Sequence, residues 1–207
     1  MVPGWSIEEV LVYTRFAADR VQPTKMDRPE DVEPNLVNGR VYVACTNNTD
    51  RGKPGKEAAT EPNPRNANKD GHVVEIAPSR GDHTARSFDW NLLLICGDPA
   101  TAGTYFGGYT GPVSLIACPD NVAFDSTGTL WVSTDGQAGS IGHNDALDRV
   151  TLTGRERGTV EQFVSVPVGA ETCGTVIHDK DGSAFVAVQP SERTAPGQSH
   201  FRTSPTT

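Results

Sequence analysis

Cys118-Pro119-Asp120-Asn121-Val122-Ala123-Phe124, followed by Thr127-Gly128 and Leu130-Trp131-Val132-Ser133, reads as two short strands joined by a glycine turn, with a carboxylate opening the first. The same unit recurs on both sides. Upstream, Arg28-Pro29-Glu30-Asp31-Val32-Glu33 leads through Asn38-Gly39 to Val41-Tyr42-Val43-Ala44. Downstream, Gly169-Ala170-Glu171-Thr172-Cys173-Gly174 leads through Asp181-Gly182 to Ala184-Phe185-Val186-Ala187-Val188. From acid to glycine the steps are 9, 8 and 11 residues, so one hairpin with small changes in its turn accounts for all three. A recurring hairpin that always starts on a carboxylate suits a ring of strands about a shared polar axis. Glu30, Asp120 and Glu171 are therefore the residues to follow.

Composition agrees with many short strands. The chain has 207 residues, 36% of them hydrophobic, with 21 Gly and 15 Pro and few long helical periodicities. A net charge of −8, without a basic cluster, excludes a nucleic-acid surface, because nothing is present to neutralise phosphates. An acidic chain suits cations better, although most acidic surfaces are simply solvated. Cys45, Cys96, Cys118 and Cys173 show no C-x-x-C spacing, which argues against a zinc ribbon or a thioredoxin-type site and makes buried free thiols the default, with disulfides left open. No run approaches the about 20 apolar residues of a membrane span. Met1-Val2-Pro3-Gly4-Trp5 is not followed by a basic and then apolar stretch, so no export signal is read in this chain.

Along the chain, Ile7 to Ala18 has helical periodicity, with Ser6 as N-cap and Glu9 three residues on. Strands are expected at Arg40–Thr46, His72–Ile76, Ala85–Asp89 continuing through Trp90–Ile95, and from Phe163 to Pro167. Residues 49–70, rich in Pro and charge, read as a long loop that buries no core, and Gly103–Gly111 as a surface loop. The Gly-rich piece lacks a following Lys-Ser or Lys-Thr and is no phosphate-cradling loop. The length is compatible with one domain or two small ones; residues 1–189 read as the folded part, and 190–207, without periodic apolar positions, as a disordered or aberrant tail.

Carboxylates at equivalent places on repeated hairpins can converge, and grouped Asp and Glu oxygens suit hard cations. Converging anions repel, so such a centre calls for bound metal or for shared protons. The competing reading is local: each acid caps a turn. Arg28, two residues before Glu30 across Pro29, shares a face with it in an extended segment, either as a fork for phosphate oxygens or as a plain ion pair. Asn121 is a neutral oxygen ligand or a turn residue. Asn47, Asn48 and Asp135 read as turn residues. No H-E-x-x-H or G-x-S-x-G occurs, which sets zinc peptidase and serine acyl-transfer chemistry aside.

Five strings in one order resemble the PhoX-type alkaline phosphatases: Met26-Asp27-Arg28-Pro29-Glu30, Tyr42 to Thr49, Cys118 to Asp125, Leu130 to Gly136, and Ser165 to Glu171. The likeness covers about residues 4–189 and only the carboxy-terminal half of such a protein. It implies an all-β fold, about half of a six-bladed β-propeller with a short amino-terminal helix and long loops. It also implies a mixed calcium and iron cluster on the axis and hydrolysis of phosphate monoesters in the periplasm or beyond. By motif matching, Glu30, Asp120 and Glu171, with Asn121 as an additional oxygen, look like cluster ligands, and Arg28 looks like the substrate phosphate clamp. The family's iron-bound thiolate belongs to the amino-terminal half, so none of the cysteines here is given that role. With that half as a missing partner, little or no turnover is expected of this chain alone. Three other readings stand beside this one: a non-catalytic propeller-like binding module, an inactive gene remnant, and a metal-dependent esterase or lactonase.

Overall fold

The computed structural model describes residues 2–190. Eleven strands form three antiparallel sheets, with three short α-helices, and no closed barrel is present among the described residues. The first sheet runs in chain order through β1 (Pro29–Pro34), β2 (Val41–Cys45), β3 (His72–Pro78), β4 (Phe88–Ile95) and β5 (Tyr105–Phe106). The second runs through β6 (Pro119–Phe124), β7 (Leu130–Thr134), β8 (Ala146–Val150) and β9 (Val160–Ser165), with α3 (Gln137–Ser140) between β7 and β8. The third is a pair, β10 (Ala170–His178) and β11 (Ser183–Pro190).

The three repeated units are the hairpins β1–β2, β6–β7 and β10–β11, so each acid lies on the leading strand of a sheet. All three leading strands also carry a register irregularity, between Pro29 and Asp31, Pro119 and Val122, and Cys173 and Val176. A bulge bends the strand and re-aims the side chains beside it. These strands are neighbours: the Asp31 carboxylate accepts from Val122 N at 2.9 Å, and Asn121 Oδ1 accepts from Gly174 N at 3.0 Å. The core lies between the first two sheets, where Tyr42, Val73, Leu94, Ile116, Leu130 and Val150 pack as one buried cluster.

Several expectations need correction. The amino-terminal helix is two helices, α1 (Ile7–Val12) and α2 (Thr14–Val21), broken at Tyr13, where the Thr14 hydroxyl bonds back to the carbonyls of Val10 and Leu11. Its start is as read, with Ser6 and Glu9 forming a capping box. The piece from Gly103 to Gly111 is not wholly a surface loop: Tyr105 and Phe106 pair with β4, and Phe106 joins the core. Gly107 and Gly158 approach so closely there that a Cβ on either would overlap the other's backbone. β8 has no counterpart among the expected strands, and β9 starts three residues before Phe163. Pro190 closes β11 rather than opening a tail, and the rest of that tail, 191–207, lies outside the described residues. The segment 49–70 has no strand, yet it contributes Arg51, Asn63 and Asn68, all buried. All four cysteines are free thiols, with Cys173 only partly covered. Among the described residues no helix is long and apolar enough to cross a membrane.

Candidate functional site

The acids of the three leading strands meet at one end of the sheets. At Asp120 the neighbouring charges are Asp135, Glu30 and Asp31, opposed by Arg28. Burial first, and then those like charges, push the Asp120 carboxyl up to about 6. Glu171 is pushed up to about 7, first by the Asp135 carboxyl beside it, then by burial and by the charges of Asp135, Asp120 and Asp145. Carboxyls gathered in one neighbourhood favour a bound cation that offsets their charge.

Arg28 stands at the rim. It has φ +46° rather than the extended backbone expected, and its guanidinium reaches Glu30 all the same: Nη2 donates to Glu30 Oε1 at 2.8 Å and Nη1 to Asn47 Oδ1 at 3.1 Å. Asn47 Nδ2 in turn points to Cys118 Sγ at 4.0 Å. Cys118 has φ +52°, so two non-glycine residues in left-handed backbone flank the acids, each at a cost of about 1–3 kcal/mol. Asp27, fully buried beside Arg28, fixes that turn: its carboxylate accepts from Arg51 Nε at 2.6 Å, Asn48 Nδ2 at 2.9 Å and Asn68 Nδ2 at 3.0 Å. The long polar loop is therefore the footing of Arg28.

An open cavity of about 820 Å³ adjoins the cluster, with Asp135, Asp145, Gly169 and Glu171 in its wall. The structure thus brings together Glu30, Asp120 and Glu171, with Arg28 at the side. Asn121 is next to them, one lone pair of its Oδ1 already used by Gly174 N. Asp135, read from the sequence as a turn residue, is the correction: it sits among the acids, a charged neighbour of both Glu171 and Asp120. Pro119 pairs with Thr134, so residues 120 and 135 leave the same end of the β6–β7 hairpin, and that adjacency is the signal the spacing argument lacked.

The donors are all hard oxygens, which fits calcium and is compatible with ferric iron. The Cys118 thiol is pushed up to about 11, chiefly by burial, and that of Cys173 is also raised, first by burial and then by Glu171, Asp120 and Asp135, so neither offers a thiolate. Among the described residues no three His, Cys, Asp or Glu groups close into a preformed metal cage.

A family model described as alkaline phosphatase PhoX matches residues 3–192. A solved structure titled Pseudomonas fluorescens PhoX in complex with vanadate, a transition state analogue, matches with a TM-score of 0.79 and 32% identity. The match covers 92% of this chain and 33% of that one, so the chain spans about a third of the length of that protein. No match is found among curated proteins.

Proposed function

Because the chain belongs to the PhoX alkaline phosphatase family, we propose that Glu30, Asp120 and Glu171, with Asn121 as an additional oxygen and Asp135 beside them, hold calcium and iron in a phosphomonoester hydrolase site. Arg28 is the phosphate clamp of that reading. The three sheets are successive blades of a β-propeller, and their acid-bearing leading strands line its axis. Further ligands, and the rest of the ring, belong to an amino-terminal portion of the family fold that lies outside this chain, and the natural setting is periplasmic or extracellular. The observation that carries the reading is the meeting of four carboxyls from three separate hairpins, where simple turn-capping would leave each with its own backbone.

Each residue has a definite part. When bound, the cations would supply Lewis-acid polarisation of a phosphoryl group and offset its charge. Glu30 and Asn47 orient the Arg28 guanidinium, leaving the rest of its planar fork to take phosphoryl oxygens. The Asp120 and Glu171 carboxyls, both raised by burial and neighbouring carboxyls, give up protons as cations enter, so binding releases protons.

Metal analysis of the purified chain, with a chromogenic phosphate monoester assay in calcium and iron, tests this. Calcium or iron should be retained at near-stoichiometric level and reduced in Glu171→Gln, with little or no turnover by the chain alone. Absence of both metals at any loading sinks the metal-site reading, and robust metal-dependent hydrolysis by the chain alone sinks the claim that the site is incomplete.

A further inference from the structure

The meeting of Asp135 with Glu171 depends on how the chain turns after β7. We propose that Asp145 is the positioning residue that sets this turn and so holds Asp135 in the carboxylate site, an inference that rests on the reading of that site given above.

Asp145 is 6% exposed and has no cationic partner among the described residues. Its Oδ1 accepts three hydrogen bonds, from Thr134 Oγ1, Gly136 N and Gln137 N, each at 2.9 Å. These donors bracket Asp135 on both sides. Asp135 itself is thereby fixed through its backbone and keeps its carboxylate free to face Glu171. Gly136 has φ +123°, a conformation that favours glycine and lets the two amides converge on one oxygen.

The clasp extends to the second acid. Gln137, 1% exposed, accepts from Ala117 N at 2.8 Å and donates to Asn144 O at 2.9 Å. Ala117 lies three residues before Asp120, so one buried unit ties the turn carrying Asp135 to the segment carrying Asp120. The Asp135 amide also donates to Cys118 O at 3.0 Å, so the clasp adds to the strand pairing in holding Asp135 against the like charge of Glu171 and Asp120. A charged acceptor is the economical choice for three donors at once, since each bond is stronger than one to a neutral oxygen.

Calorimetric titration of calcium into the purified chain, with europium luminescence lifetimes counting the waters left on a bound ion, tests the role. Asp145→Ala should weaken calcium by about ten- to hundredfold, the usual loss for a residue that orients a ligand, and should add about one water to bound europium. Asp145→Asn keeps the acceptor oxygen and should stay within about threefold of the unmodified chain. If folded Asp145→Ala binds calcium normally with an unchanged water count while Glu171→Gln binds weakly, the positioning role is overturned and the carboxylate-site reading stands. If Asp145→Asn is as damaging as Glu171→Gln, Asp145 acts as a ligand and the proposal is overturned. If the unmodified chain binds no calcium, or Asp135→Asn and Glu171→Gln leave binding intact, the site reading and this proposal fall together. Should near-ultraviolet circular dichroism show Asp145→Ala unfolded, Gln137→Met decides: it frees the far side of the clasp, and unchanged affinity overturns the proposal.

Discussion

Asp148 is a carboxylate with nothing to hold it. It lies on β8 with no solvent exposure, and neither oxygen has a hydrogen-bond partner. Burial pushes its carboxyl up to about 8, so it stays protonated where an unfolded aspartate ionises. The folded value is the raised one, so its contribution to stability is whole below about pH 4 and is lost as pH rises through about 8. The loss runs at up to about 1.4 kcal/mol per pH unit between those limits. Melting temperatures measured from pH 5 to pH 8 should therefore fall in the native chain and fall less in Asp148→Asn; parallel profiles would refute the assignment. Arg28 makes a second case at this scale. Its two terminal nitrogens serve Glu30 and Asn47 separately, which a lysine ammonium cannot do while keeping a face for an anion. Arg28→Lys should weaken vanadate or phosphate binding about tenfold or more, read by equilibrium titration in the metal-loaded chain.

At the scale of elements, Glu75 shows how the two larger sheets are locked together. It sits on β3 with its side chain buried, and Oε1 accepts from Tyr42 Oη at 2.7 Å. Oε2 accepts from Arg40 at 2.9 Å, Asn91 at 2.7 Å and Arg157 at 2.6 Å, the last from the loop between β8 and β9. Burial alone would raise this carboxyl, but the bonds from Tyr42 and Asn91 and the charges of Arg157 and Arg40 outweigh it and hold it below the usual range. Glu75→Ala should cost about 2–3 kcal/mol in denaturant unfolding, less than a fully dry pair because the Arg40 and Arg157 side chains are only partly buried. The depressed value means this support is present above the unfolded carboxylate range and lost as pH falls through the folded one. How far such elements are legible in the sequence depends on their side chains. β2 and β7 are legible because their runs are apolar and end at glycine turns. β8 is not, because Ala-Leu-Asp-Arg-Val places Asp148 on the core face and breaks the alternation. Glu30, Asp120 and Glu171 stand out because they repeat. Asp135 and Asp145 do not repeat, and their roles come from pairing across a hairpin and from a buried oxygen, which spacing alone does not encode.

The whole molecule is unevenly finished. The first two sheets enclose a common core, whereas β10 and β11 pair only with each other among the described residues. An isolated two-stranded hairpin is marginal in water, and this one exposes Val176 at 56%, Phe185 at 61% and Val188 at 48%. Helices α1 and α2 likewise leave Leu11 at 71% and Phe16 at 66% exposed. The free edges differ in charge. β1 carries Glu30, Asp31 and Glu33, which repel a second copy, while β11 reads Ser-Ala-Phe-Val-Ala-Val-Gln-Pro with no charge to discourage pairing. An uncharged, β-prone edge with exposed apolar side chains is the expected seat of self-association. The purified chain should accordingly sediment as a concentration-dependent mixture of monomer and larger species, with Phe185→Lys shifting it toward monomer and Phe16→Lys acting less. Equal response to the two substitutions would place the contact on exposed apolar surface in general, and no response to Phe185→Lys would remove β11 from it.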